Sequence, residues 1–188
     1  INSPYILTAY FWKISFMIRV ISDNSEIFSI FFQTKCNALT LSLSGSYNQA
    51  TLRSTYRRNI GDMSSPILAA PGTEMPYIPK FKMTAVARQE FEISELPAYA
   101  QLSMSYSSAS WNRLNTNLRE RVPGHALVNF SMGVTKDDKT FSLFADNVLD
   151  NRAQLAINNP DLAFTSPVDT TIRVARPRMI GFRFGQKF

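Results

Sequence analysis

The sequence predicts an all-β protein whose strands form an antiparallel transmembrane β-barrel, and three observations support this fold class. The segment from Arg178 to Phe188 alternates apolar with polar or small side chains, the period-two pattern of a strand with one apolar and one wet face. Long polar connections alternate with short turns from Leu39 onward. The chain is 45% hydrophobic with a mean hydropathy of −0.12, so its apolar residues are dispersed rather than gathered into helical spans.

The closing strand separates its side chains by parity. Ile180, Phe182, Phe184 and Phe188 share one face, on which Gln186 is the polar exception. The other face carries Met179, Gly181, Arg183, Gly185 and Lys187. In a membrane barrel the first face would meet lipid and the second a polar lumen. In a soluble sandwich the same phenylalanines would lie in a core.

Five further strands are predicted between the start of the clear pattern and the closing strand. They cover Leu39 to about Tyr56, Phe81 to Phe91, Tyr99 to Ser107, Leu127 to Val134, and Thr140 to about Leu149. The long loops between them are 57–75, 108–124 and 151–169, and the short turns are 94–97 and 136–139. Outer-membrane barrels segregate long loops to the extracellular end and short turns to the periplasmic end, whereas a sandwich has no reason to do so. The prediction is about six to eight barrel strands within residues 39–188 and the segment before them.

Residues 1–38 are poorly patterned, with room for two strands. The consecutive aromatics Tyr10, Phe11 and Trp12 spoil the alternation between Tyr5 and Ile21. The chain starts Ile1-Asn-Ser-Pro, without the charged start and apolar run of a signal peptide, so we expect a mature chain or a piece of a longer one.

Composition argues against several function classes. The formal charge of +6 comes from scattered lysines and arginines rather than a basic block, so no nucleic-acid partner is expected. Cys36 and His125 are single residues of their types, and therefore predict neither an internal disulfide nor a metal cluster. We find no nucleophile with a histidine partner and no phosphate-binding glycine loop. The sequence predicts no catalytic residue, no cofactor and no enzyme activity.

Two motifs close the chain in a characteristic order. The strand Phe141-Ser-Leu-Phe-Ala-Asp-Asn-Val-Leu-Asp150 is followed by a loop and then by Ala175-Arg-Pro-Arg-Met-Ile-Gly181, alternating aromatics and Phe188. This ending resembles that of TonB-dependent outer-membrane receptors. The matching positions are Asn147, Asp150, Pro177, Arg178, Gly181 and Phe188, while Val148-Leu149 replaces the usual Leu-Phe.

The resemblance implies active uptake of a scarce ligand, such as a siderophore, cobalamin or glycan, across the outer membrane of a Gram-negative cell. Barrels of this family have about 22 strands and a plugged lumen. The chain shows no plug domain, so the resemblance implies the C-terminal portion of a receptor. The implied partners are outer-membrane lipid, the barrel-assembly machinery through the last strand, the TonB energy complex through the missing plug, and an unknown small ligand.

One loop contains the candidate ligand-binding residues, namely Trp111, Arg113, Arg119 and Arg121. Guanidinium groups pair well with carboxylate or phosphate, so this loop could bind an anionic ligand. The same side chains could instead meet lipopolysaccharide phosphates or stay solvated. The tyrosines at 47, 56, 77 and 106 suit interfacial aromatic girdles.

Two alternative functions remain open from sequence. A complete small barrel of about eight strands, with a structural or adhesion role, requires residues 1–35 to form two strands that close on the last one. A soluble β-sandwich binding module requires the apolar faces to be covered by protein.

Overall fold

The structure, a computed structural model, describes residues 6–9, 14–21, 26–36, 38–59, 61–158 and 170–187. In these ranges all regular secondary structure is β-strand. In chain order the strands are β1 (Ile6–Ala9), β2 (Ile14–Ile21), β3 (Glu26–Cys36), β4 (Leu39–Gln49), β5 (Tyr56–Arg57), β6 (Ile67–Ala69), β7 (Phe81–Ile93), β8 (Leu96–Ser107), β9 (Ser110–Trp111), β10 (Arg121–Val122), β11 (His125–Lys136), β12 (Lys139–Asp146), β13 (Gln154–Asn158), β14 (Thr171–Val174) and β15 (Met179–Gln186). Nothing in these ranges is a helix long and apolar enough to cross a bilayer.

Nine of these strands form one antiparallel sheet in the order β1-β2-β3-β4-β7-β8-β11-β12-β15. The six strands predicted from Leu39 onward are all present, so the predicted fold class is confirmed. Three strands precede them, β1 to β3, which makes nine instead of the six to eight expected. The other six strands pair two by two inside the long connections.

Several predicted strand ends were wrong, and each has a local cause in hydrogen bonding or backbone conformation. β4 stops at Gln49 rather than near Tyr56, since the backbone of Leu52 pairs instead with Thr73 and Gly72. β12 stops at Asp146 rather than Leu149, because Asn147 takes a positive φ of 51°. The loop predicted over 151–169 contains β13, which pairs with β14.

Long and short connections alternate as predicted. Two-residue turns join β7 to β8 and β11 to β12, and Ser94, Glu95 and Asp137 in these turns have positive φ, as tight hairpins require. The connections 50–80, 108–124 and 147–178 all leave the opposite end of the sheet. We call these the short-turn end and the long-loop end.

Cross-strand pairing gathers most of the large apolar side chains of the sheet from β4 onward on one side, which we call the apolar face. One row across six strands is Leu41, Ala87, Leu102, Phe130, Ala145 and Ile180. Exposure on this face is high, with Leu102 at 50%, Ile180 at 69%, Phe182 at 74% and Phe184 at 66%. The parity predicted for the closing strand is therefore correct.

Nothing in the described residues covers the apolar face as the core of a soluble domain would. The buried apolar residues are Ala69, Ala98, Val122, Ala153, Ile157 and Ala175. From β4 onward, no large side chain in the described ranges is fully buried. A β-sandwich buries the inner faces of two packed sheets, so this arrangement contradicts the sandwich alternative.

The sheet is open between its first and last strands. Among the described residues, β1 pairs with β2 and β15 with β12, and no pairing joins β1 to β15. The small closed barrel required the first strands to close on the last one, and the described strands do not make that closure. The sheet is one part of a barrel wall.

The opposite side of the sheet, the polar face, is lined by serine, threonine, glutamine and arginine, with two glycines covered by aromatic rings. A Cβ built on Gly133 would lie 2.7 Å from Tyr99 Cε1 and 3.1 Å from the Phe141 carbonyl oxygen. A Cβ on Gly181 would lie 2.9 Å from Phe144 Cζ. Each ring also stacks with a guanidinium on this face, Tyr99 with that of Arg88 at 4.0 Å and Phe144 with that of Arg183 at 4.1 Å.

Gly133→Ala is expected to destabilise the sheet by about 1–3 kcal/mol, because the new methyl group displaces the Tyr99 ring and crowds backbone that cannot move freely. Gly185→Ala is the matched control, since Gly185 lies on the same face with nothing within 4 Å of its Cβ position. Urea unfolding of the native polypeptide in lipid vesicles measures both variants. Equal stability of the two variants would contradict this interpretation of Gly133.

Candidate ligand site in the loops

Asn147, the first residue of the sequence motif after β12, is buried, with 5% of its surface exposed, and makes several hydrogen bonds. Its Nδ2 donates to the carbonyl oxygens of Asn151 at 3.1 Å and Arg176 at 2.8 Å. Its Oδ1 accepts from the Asn151 backbone N–H at 3.0 Å, and its own N–H donates to Asn129 Oδ1 at 2.9 Å. These bonds tie the end of β12 to β11 and to the segment that leads into β15.

The other motif residues complete this junction. Asp150 Oδ1 accepts from the backbone N–H of Arg178 at 2.8 Å, and the same carboxylate lies 3.4 Å from Arg152 Nε. The Arg178 N–H, followed by the charge of Arg152, holds the pKa of Asp150 below its ordinary value. Pro177 has no N–H to add to a ladder, so β15 begins only at Met179. The motif thus builds a structural corner at the long-loop end.

Of the four residues predicted as a membrane-insertion signal, three lie in β15. Ile180, Phe182 and Phe184 lie on the apolar face of β15, opposite Ala145, Leu143 and Phe141. Phe188 lies outside the described residues. Their role as an insertion signal stays a prediction.

The three long connections meet one another above the long-loop end. Tyr77 Oη donates to the Ile157 carbonyl oxygen at 2.6 Å, and Asn112 Nδ2 donates to the same oxygen at 3.2 Å. The backbone N–H of Thr116 donates to the Leu68 carbonyl oxygen at 2.9 Å. These bonds join residues far apart in sequence, so each connection is held by the other two.

A charged cluster adds to the contact between the first and second connections. Lys80 Nζ lies 2.6 Å from Glu74 Oε1, and the Trp111 indole is close enough to the Glu74 carboxylate to lower its pKa. The Arg119 guanidinium stacks 4.1 Å from the centre of the Trp111 ring. Lys80 first, and Trp111 and Arg119 after it, lower the pKa of Glu74, while Glu74 raises the pKa of Lys80.

Acidification is expected to loosen this cluster. Because the folded-state pKa of Glu74 lies below its ordinary 4.5, its stabilisation is complete above that value and is lost as pH falls through the folded-state pKa. The raised pKa of Lys80 gives stabilisation that is present below 10.5 and lost as pH rises through the higher folded-state value. Both side chains are partly exposed, so we expect less than about 1 kcal/mol from the pair.

Trp111 fluorescence on a Trp12→Phe background measures this effect. The emission should shift to the red as pH falls below 4.5, and Glu74→Gln should give the shifted emission at neutral pH. Glu92→Gln, an exposed substitution at the short-turn end, is the control. An unchanged emission in Glu74→Gln would contradict the role assigned to the cluster.

A cleft of about 420 Å³ opens between the three connections. Its lining residues are Tyr56, Leu68, Pro76, Tyr77, Asn112, Arg113, Leu114, Asn115, Ile157 and Asn158. Asn112 is buried at 7% exposure, and its Oδ1 accepts from the Glu120 N–H at 2.7 Å. Tyr77 has a φ of 56°, an outlying value for a bulky side chain.

The structure separates the four loop residues predicted to bind a ligand. Arg113 lines the cleft, whereas Trp111 and Arg119 belong to the charged cluster. Arg121 is exposed and pairs with Trp111 in the β9–β10 ladder. Whether any of them binds a ligand stays a prediction.

Sequence reasoning missed most of the cleft. Tyr56 and Tyr77, interpreted above as girdle residues, line the cleft, while Tyr47 and Tyr106 do lie on the apolar face near the long-loop end. Asn112 and Ile157 carried no signal that could have found them. The described residues contain no group of three or more histidine, cysteine, aspartate or glutamate side chains that could hold a metal ion.

Comparison with known proteins identifies the fold alone. No protein-family model matches the chain, and no curated protein matches it. A solved structure does match, that of the ferric yersiniabactin uptake receptor FyuA from Yersinia pestis, with a TM-score of 0.56 and 12% identity. This likeness shows the fold, an antiparallel β-barrel wall. The match covers 98% of this chain and 36% of the receptor, so the chain spans about a third of that protein's length.

Proposed function

We propose that this chain is the C-terminal part of a TonB-dependent outer-membrane receptor that takes up a scarce ligand such as a siderophore, cobalamin or glycan. The observation that carries the proposal is the fold relationship to an uptake receptor over 98% of the chain. The Asn147 corner supports it independently, because Asn147, Asp150 and Arg178, three of the residues that resemble the family's ending, join one hydrogen-bond network.

In this proposal the apolar face contacts the lipid of the outer membrane. An exposed band of leucine, methionine and phenylalanine is costly in water and favourable in hydrocarbon. The long-loop end would then face the outside of the cell and the short-turn end the periplasm.

The proposed partners are those that the resemblance to the receptor family implies. The barrel-assembly machinery would recognise the closing strand, including Ile180, Phe182, Phe184 and Phe188. The TonB energy complex would act through a plug elsewhere in a longer polypeptide. We propose neither a nucleic-acid partner nor a catalytic activity.

Immunoblotting of separated outer-membrane and soluble fractions, with an antibody against residues 139–158, tests this proposal. We expect a membrane band several times larger than the 21.3 kDa of this chain. A membrane band at 21.3 kDa would instead support a small barrel, and a soluble band would contradict the membrane assignment.

A further inference from the structure

We propose that two glycine–aromatic pairs on the polar face set the register in which the strands of the sheet assemble. In each pair, the aromatic ring of one strand lies against a glycine directly opposite it on the next strand. One pair is Tyr99 of β8 with Gly133 of β11, and the other is Phe144 of β12 with Gly181 of β15. This role in assembly is separate from the uptake function proposed above.

The alternation of apolar and polar side chains leaves the register open to shifts of two residues. A shift of one residue exchanges the two faces of a strand, but a shift of two restores them. In the structure Leu102 lies opposite Phe130 on the apolar face. A shift of two residues would place Leu102 opposite Val128 or Met132, which are also apolar. Some contact other than the alternation therefore has to select one register.

The two pairs lie where turns give the least information about register. A tight hairpin loop fixes the register of the strands it joins, and two-residue turns join β7 to β8 and β11 to β12. The connection between β8 and β11 is 108–124, and that between β12 and β15 is 147–178. Both glycine–aromatic pairs lie across strands joined by these long connections.

The Tyr99 ring fits the native register because Gly133 has no side chain. A Cβ built on Gly133 would lie 2.7 Å from Tyr99 Cε1. A shift of two residues would place Tyr99 opposite Ser131 or Thr135, whose side chains would occupy the space that the ring needs. The Arg88 guanidinium, from the strand on the other side of β8, lies 4.0 Å from the ring centre and helps to hold the ring in this position.

The Phe144–Gly181 pair repeats this arrangement on two other strands. A Cβ built on Gly181 would lie 2.9 Å from Phe144 Cζ, and the Arg183 guanidinium lies 4.1 Å from the ring centre. Gly185, on the same strand and face, lies opposite Thr140 and has nothing within 4 Å of its Cβ position. A strand glycine alone therefore carries no register information, and the pair with a ring does.

Cysteine cross-linking measures the register of β8 against β11. The native polypeptide carries Cys36→Ser and Leu127→Cys, and a second cysteine replaces Ser103, Ser105 or Ser107 in turn. Ser105 lies opposite Leu127 in the structure, and the other two serines come opposite it after a shift of two residues in one or the other direction. Each protein is refolded into lipid vesicles and oxidised. Because a disulfide needs closely opposed side chains, we expect the parent register to cross-link through position 105.

Moving the glycine along β11 should move the register in a stated direction. Ser131→Gly with Gly133→Ser should shift the cross-link to position 103, since Tyr99 then meets a glycine two residues earlier. Gly133→Thr with Thr135→Gly should shift it to position 107 instead. Neither exchange changes the composition of the strand or which side chains lie on which face.

Removing the ring tests the same role without moving a glycine. Tyr99→Ala should allow cross-links at all three serine positions, because no ring then distinguishes the registers. Tyr106→Ala is the matched control, since Tyr106 lies on the apolar face of the same strand, opposite Ala126 rather than a glycine. This control should keep the parent cross-link. Heat-dependent gel mobility confirms that each variant is folded.

A parent cross-link that persists in either exchange or in Tyr99→Ala would overturn the proposal, because the register would then be set elsewhere, as by the connection 108–124. Shifted cross-links in Tyr106→Ala would also overturn it, since any lost ring would then have the same effect. Tyr99→Ala decides the matter if the exchanged proteins do not fold. None of these outcomes depends on uptake, which is tested by the location and mass of the native polypeptide.

Discussion

Asn147→Ala should lower the free energy of unfolding by about 2–4 kcal/mol, because it leaves buried backbone groups without partners. The amide bonds two carbonyl oxygens and one N–H from two separate segments. Alanine also tolerates the positive φ of this position poorly. Urea unfolding of the native polypeptide in lipid vesicles measures the change.

Two further variants separate these causes. Asn147→Gly accepts the positive φ, so any loss that it retains reports the hydrogen bonds. Asn117→Ala is the control for removing an amide from an exposed loop position. If Asn147→Gly were as stable as the parent protein, the hydrogen-bond network would not be what holds this corner.

Leu102→Lys should cost about 2–4 kcal/mol or prevent insertion altogether, as a cation does at the lipid face near the bilayer midplane. Leu102 lies near the middle of β8, on the apolar face and half exposed. Ser103→Lys is the matched control one residue away, where the side chain projects from the polar face between Val86 and Asn129. We expect a far smaller loss there. Heat-dependent gel mobility after refolding into vesicles measures both.

Equal tolerance of the two lysines would contradict the assignment of faces. Intolerance of Ser103→Lys with tolerance of Leu102→Lys would reverse the assignment. The two variants can be compared directly because both substitutions introduce the same side chain into the same strand.

The sequence predicted the fold well where apolar and polar side chains alternate strictly along the strands. From Leu39 onward each strand has one apolar and one polar face, and a one-residue slip would exchange those faces, so the pattern itself excludes that slip. Before Leu39 the alternation fails at Tyr10, Phe11 and Trp12. One expected strand between Tyr5 and Ile21 corresponds there to β1 and β2, with residues 10–13 outside the described ranges.

The ends of strands were predicted less well, since they are decided by the pairing and backbone conformation of single residues. Tyr56 continues an acceptable pattern after β4, yet the chain pairs there with Ala69 of its own loop. Asn147 likewise ends β12 through its left-handed conformation rather than through any change in hydrophobicity. Neither event has a periodic signature.

The cleft was predicted in one residue out of many, because it is made by contacts between loops. Arg113 was predicted because its loop contains three arginines, whose guanidinium groups pair well with carboxylate or phosphate. The Tyr77–Ile157 and Asn112–Ile157 bonds join residues 80 and 45 positions apart, and no local sequence pattern predicts them. By contrast, the motif residues Asn147, Asp150 and Arg178 were found because their spacing is itself a recognisable sequence ending.

The measurement that tests the central claim most directly is spin-label accessibility at Leu102 and Ser103. Each residue is replaced by a labelled cysteine on a Cys36→Ser background, and the protein is reconstituted in lipid. A barrel wall predicts that the label at 102 is relaxed by lipid-soluble oxygen and shielded from a water-soluble nickel chelate. The label at 103 should not show this preference for oxygen over the chelate. A label at 102 shielded from both reagents, as in a protein core, or relaxed by the nickel chelate, would contradict the account.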